Sequence, residues 1–250
     1  MDAADFDRLV ARVSDPWLIS DIYNYCDGRC RRCRFTQRCL VYLDSQDLDA
    51  VNLDKHSLAA TMSASFRRML DLLSEAAQQE GVDTRAPAEE DSEGAVDAAL
   101  ERHRQDPLVI RAREYGVLAW RIGRAIAPIA AARDDAPLAE AVETIEWFSS
   151  MISSKLYRAV CGRAEGWEDC DDTQTDFNGS AKIALIGIEE SRAAWLVLME
   201  VGRATADGVP ARAVKMLEEL DIAVRARFPR AMTFVRPGFD GPEAADGGSR

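Results

Sequence analysis

A chain of 250 residues, 47% hydrophobic and 30% charged, is long enough for one sizeable core or two small ones and has the make-up of an ordinary globular protein. Its formal charge of −12 argues against broad nucleic-acid binding and against attachment to anionic membranes, both of which need a large cationic face. The start MDAADFD lacks the apolar core of a secretory signal, and apolar runs such as 125–132 are far too short to cross a bilayer, so a cytoplasmic chain is expected.

Residues 4–12 predict a short amphipathic helix, with Phe6, Leu9 and Val10 on one side. Asp15-Pro16 reads as the start of a second helix through Trp17, Leu18, Ile22 and Tyr23, which delivers the chain to Cys26. There follows a stretch unlike the rest. Cys26, Cys30, Cys33 and Cys39, four of the six cysteines, fall within fourteen residues at the spacing C-x3-C-x2-C-x5-C. Five arginines interleave with them against one aspartate, which puts this segment at +4 and leaves the remainder at −16. The apolar run 40–43 is expected to pin the far side of this loop to the core.

Ser57 can cap a long helix ending near Gly81, with Leu58, Met62, Phe66, Leu70 and Leu73 as its buried stripe. Residues 83–94 hold five acids against one Arg and read as a solvated linker. Asp106-Pro107 is a strong helix start, and Pro128 should kink or end the helix it begins. A second helix is expected from about Pro137 to Val160. The stretch 181–201 is apolar almost all round and is the candidate central helix. A last helix starts at Val209-Pro210 and ends at Phe228-Pro229, followed by an extended apolar strap over 234–239. No run shows the period-2 alternation of a strand.

These elements predict an all-α fold: an irregular helical bundle with an N-terminal four-cysteine metal or iron–sulfur loop. The expected organisation is a cysteine-rich segment over 1–45 packed on the bundle, a long helix over 46–82, the acidic linker 83–94, a main bundle over 95–240 and a disordered tail over 241–250.

In a reducing compartment, clustered cysteines are ligands before they are disulfides. Structural zinc sites usually arrive as two C-x2-C pairs with a longer insert, whereas a contiguous run of four is closer to iron–sulfur usage. A [4Fe–4S] cluster on Cys26, Cys30, Cys33 and Cys39 is therefore the first expectation, with Zn2+ the alternative. Cys30, Cys33 and Cys39 resemble the end of the cluster loop in the endonuclease III family of DNA glycosylases, although that family's first gap is longer and its helix-hairpin-helix is not seen here. The C-x3-C-x2-C triplet coincides with the radical S-adenosylmethionine signature, which goes with an open iron and an α/β barrel. A fourth cysteine and the lack of strands set this chain apart from it. Residues 25–39, the NGSAK segment 178–182 and the strap 234–240 together resemble an uncharacterised bacterial protein family with an N-terminal four-cysteine motif, a resemblance that implies no activity.

The arginines have three readings: compensation for a doubly negative thiolate site, contact with a small anion or nucleic acid, and docking to an acidic partner. A protein partner or a second copy is expected ahead of nucleic acid, and no membrane. Lys155, Arg158, Lys182, Glu146 and Glu189 read either as interhelical ion pairs holding register or as an anion pocket inside the bundle, which would make the chain an iron–sulfur enzyme. A carboxylate-bridged di-iron centre lacks ligands, since only His56 and His103 are present and both read as surface residues. Asp169, Asp171, Asp172 and Asp176 surround Cys170 without the glycine and terminal Glu of a calcium loop, and Asp176 or Asn178 is expected to cap the next helix. Cys161 and Cys170 read as buried thiols.

Overall fold

The computed structural model describes residues 11–12, 14–50, 67, 70, 90–133, 135–164, 173–201 and 208–240. The expected helices at 4–12 and 46–82 and the tail 241–250 lie largely or wholly outside these residues. The molecule is all-α: the described elements are helices and turns, with no strand among them. The α-helices are α1 (Leu40–Ala50), α2 (Glu90–Arg104), α3 (Pro107–Arg133), α4 (Ala136–Ala164), α5 (Asp176–Val201) and α6 (Val209–Arg227). Helix α2 begins at Glu90, so the last residues of the stretch read as a linker are helical.

The chain divides into two compact units. Asn24–Asp27 and Val96–Gly241 make up one, and the cysteine-bearing turns from Gly28 onward, with α1, belong to the other.

In the larger unit α3, α4, α5 and α6 pack in a ring, with α4 against α5 as its most extensive contact and α3 against α6 closing it. Gly116 lies against Ser149 and Gly123 against Glu146, so α3 and α4 run antiparallel; Gly162 against Phe177 and Gly187 against Phe148 give the same sense for α4 and α5. The core holds Tyr115, Phe148, Ile152, Leu156, Trp195 and Leu217, all fully buried. Each such side chain contributes about 1.5–3 kcal/mol by leaving water. Trp195 Nε1 donates to the Tyr115 hydroxyl at 3.1 Å, which satisfies the polar ends of both rings. Burial pushes the Tyr115 phenol above its ordinary value, so it stays neutral.

Several boundaries follow from local chemistry. The Asp106 carboxylate accepts the Leu108 N–H at 2.9 Å, with Pro107 in the first helical position. Asp135 does the same for Leu138 at 3.1 Å. Pro128 does not end α3, which continues to Arg133. It sits on the exposed side, where water can take over the carbonyl that its missing N–H leaves unpaired. Helix α5 is buried almost all round only in its first half; beyond Ile188 it alternates between core and solvent.

Residues 15–21 form turns instead of the expected helix, followed by a 3-10 helix at Ile22–Tyr25. Asp15 does cap, accepting the Trp17 N–H at 2.9 Å. The Ile19 N–H, however, goes to the Arg38 carbonyl at 2.9 Å rather than back along its own segment, and Asp21 adopts a positive φ of 60°. A helix cannot propagate past either.

Gly116→Ala tests the α3–α4 contact. The new Cβ would run into the Ser149 carbonyl oxygen, which belongs to backbone and cannot swing aside. Urea unfolding is expected to show a net loss of about 1–3 kcal/mol, despite alanine's better helix propensity.

Candidate thiolate loop and its anchors

The cysteine stretch is built from two 3-10 turns, Cys30–Arg32 and Thr36–Arg38. Gly28, at φ 71°, admits the reversal before the first. Cys33 and Cys39 occupy the extended positions that end the two turns, and their N–H groups close back on Cys30 and Thr36 at 3.1 and 3.3 Å. The Phe35 N–H points at Cys33 Sγ at 3.4 Å. Cys30 is exposed, while Cys33 and Cys39 are partly buried. None of the described cysteines is in a disulfide.

Phe35 holds this segment from within. It is 2% exposed, and the Arg34 guanidinium stacks on its ring at 4.7 Å. Arg38 is likewise structural: its Nε donates to the Trp17 carbonyl at 3.0 Å, its guanidinium lies 5.0 Å from the Trp17 ring, and Trp17 Nε1 returns a bond to the Gln37 carbonyl at 3.3 Å. Arg31 and Arg32 are exposed. The apolar run 40–43 forms the first turn of α1 with Val41 half exposed, so it is not the buried pin that its composition suggested.

Cys26 belongs to the larger unit, and its neighbours are held by α4 and α5. Lys155 Nζ donates to the Asn24 carbonyl at 2.6 Å, and Arg158 Nη1 to Asn24 Oδ1 at 3.2 Å. Trp147 Nε1 donates to the Asp27 carbonyl at 2.7 Å. The Tyr25 hydroxyl donates to Asp176 Oδ1 at 3.0 Å, and Arg158 forks onto both oxygens of Asp176 at 2.6 and 2.8 Å. Burial and the adjacent Arg158 hold Lys155 below its ordinary value, against an opposing pull from Cys26 and Asp176.

At the same end, Lys182 on α5 is only 8% exposed. Its ammonium donates to the Phe234 carbonyl at 2.5 Å, the Met232 carbonyl at 3.3 Å and Asp240 Oδ2 at 2.7 Å. Arg236 also grips Asp240, at 2.8 Å. Burial raises the Asp240 carboxyl, but the bonds from Arg236 and Lys182 overcome it and leave the group well below its ordinary value. The Phe234 ring lies 4.6 Å from Tyr25, and a Cβ on Gly179 would strike both rings, at 2.4 Å from Tyr25 and 2.8 Å from Phe234. The strap leaves Phe234 at φ −58° and ψ 131° and turns only over 237–240. Tyr25, the first residue of the 25–39 stretch, meets the NGSAK segment and the strap here.

Of the cations read as one pocket or as helix-to-helix pairs, Arg158 makes such a pair, from α4 to α5, and the two lysines do not. Lys155 and Lys182 serve backbone carbonyls in and beside short 3-10 turns outside the α-helices, and Arg158 pairs with the first residue of α5. Glu189 is exposed, and Glu146 packs against Gly123. Thr175, not Asp176 or Asn178, caps α5, its hydroxyl accepting the Asn178 N–H at 3.4 Å. His103 is partly exposed on α2, and Cys161 is partly buried on α4. His56, Cys170, Asp169, Asp171 and Asp172 lie outside the described residues. Among the described residues, no group of three or more His, Cys, Asp or Glu side chains is placed to hold a metal ion. No described helix is long and apolar enough to cross a membrane.

Comparison with known proteins found no matching family model, curated protein or solved structure.

Lys182→Met is expected to lower stability by about 1–3 kcal/mol, because the Phe234 carbonyl and Asp240 lose a charged donor. Asp240 adds a pH signature. A carboxyl held below its ordinary value of 3.8 stabilises the fold above that value and loses this contribution as the pH falls through the folded one. The stability gap between wild type and Asp240→Asn, measured by urea unfolding, should therefore narrow from about pH 7 to about pH 3.

Proposed function

We propose that Cys26, Cys30, Cys33 and Cys39 form a four-thiolate site for a [4Fe–4S] cluster, with Zn2+ as the alternative occupant. On this reading the protein is an interaction or redox-sensing module of the cytoplasm. The observation that carries it is the local architecture around Cys33. A short 3-10 turn ends in an extended cysteine whose sulfur receives a backbone N–H from Phe35, the kind of bond that stabilises a thiolate and tunes what it ligates. Spacing adds to this, since four thiols within fourteen residues can converge with little chain to order. Within its own unit, Cys26 is flanked by backbone anchored at Asn24 and Asp27. Bound there, the cluster would supply one-electron chemistry; zinc would supply only structure.

Two features favour a module over an enzyme. Lys155, Arg158 and Lys182, the cations nearest to forming an active site, are engaged by structural carbonyls and carboxylates. The arginines of the loop are not a uniform nucleic-acid face either, since Arg34 and Arg38 stack on Phe35 and Trp17.

Purification without oxygen, followed by iron, sulfide and zinc analysis, tests the proposal. The expected product is brown, absorbs near about 400 nm and carries about four iron and four sulfide per chain. A colourless protein with about one zinc per chain assigns the alternative occupant. Absence of both metals overturns the proposal. Cys33→Ser should lose metal and thermal stability together; full retention of both would also overturn it.

A further inference from the structure

We propose that the outer face of α3 is a docking surface for an acidic helix of a partner protein. It is independent of the thiolate loop.

The observation is three arginines with no acid assigned to them. Arg113 and Arg121 on α3 converge with Arg212 of α6 on one groove, and a second groove, between α3 and α4, shares Arg113 and Arg121. On a helix surface an acid three or four residues away can take up an arginine, as Asp221 does for Arg225 at 2.8 Å and Glu101 for Arg104 at 3.4 Å. Arg113, Arg121 and Arg212 have no acid at any such position. Among the described residues none of the three makes an ion pair. Glu101 feels the charge of Arg113, but its carboxylate is taken by Gln105 and Arg104. Glu114 is the one acid lining either groove.

Between the charges the surface is apolar. Val117 is 49% exposed and Trp120 55% exposed, and Arg124 stacks on Trp120 at 5.8 Å. The face therefore has a hot-spot composition, an aromatic and arginines around an apolar centre. Its geometry selects a helix. Arg113 and Arg121 are eight residues apart, about 12 Å along the axis, which matches carboxylates two turns apart on a helix laid alongside. Gly116 and the serines of α4 form a low wall that lets such a helix approach. Nucleic acid fits less well, because the rest of the chain is strongly negative.

The probe is a fluorescein-labelled helical peptide of about 20 residues with Glu at seven-residue spacing beside a Leu stripe. Its control is the same peptide with Lys for each Glu. The acidic peptide should bind the full chain, more weakly as salt rises. Arg113→Glu combined with Arg121→Glu should weaken binding by about tenfold or more. Trp120→Ala should weaken it several-fold and gives a second readout should the double variant lose its helical circular dichroism. Failure of the acidic peptide to bind, equal binding of the Lys peptide, unchanged affinity in the folded variants, or tighter binding of a single-stranded RNA oligonucleotide would each overturn the proposal.

Discussion

A buried ammonium organises one end of the larger unit. Lys182 lies in the most apolar of the described helices, where an uncompensated charge would cost several kcal/mol. It is largely withdrawn from solvent, so acceptors must come to it. They arrive from fifty residues or more downstream, as the carbonyls of Met232 and Phe234 and the carboxylate of Asp240. Holding those groups fixes the strap against α5. The strap in turn places the Phe234 ring against Tyr25, over the gap that Gly179 leaves open. Tyr25 is one residue from Cys26, so the satisfaction of one lysine extends by contact to the first cysteine of the loop.

The same principle governs Asn24 and Asp27. Short turns and coil lying against a bundle leave carbonyls without α-helical partners, and each must be paired or hydrated. Lys155, Arg158 and Trp147 supply the donors from α4. Cations that read in the sequence as interhelical pairs or an anion pocket thus also serve as attachment points for chain outside the α-helices. Arg113 and Arg121 of α3 differ, because no described carbonyl or carboxylate takes them up, and the proposed docking surface rests on that contrast.

Much of the fold was legible. Asp106-Pro107, Val209-Pro210 and Phe228-Pro229 place helix ends because capping and the missing proline N–H act within a few residues. The apolar periodicities of α3, α4 and α6 name their buried faces for the same reason. The misreadings share one cause. Residues 15–23 have helical signals, yet the Ile19 N–H finds the Arg38 carbonyl. Asp176 looks like a cap, yet Arg158 and Tyr25 claim it, and Thr175 caps instead. Phe35, alone among polar residues, gave no periodic signal of its burial. For Ile19 and Asp176 the outcome was set by a group remote in sequence.

What the sequence by itself determined is therefore what depends on near neighbours: the all-α class, most helix boundaries, the core stripes, and the spacing of the four cysteines. The tertiary structure decided which charged side chain meets which group. Lys155 and Asn24 stand 131 residues apart, and Lys182 and Asp240 stand 58 apart. A charge in a sequence announces that it needs a partner, but its choice among distant carbonyls and carboxylates is made only when packing brings one of them within hydrogen-bond reach.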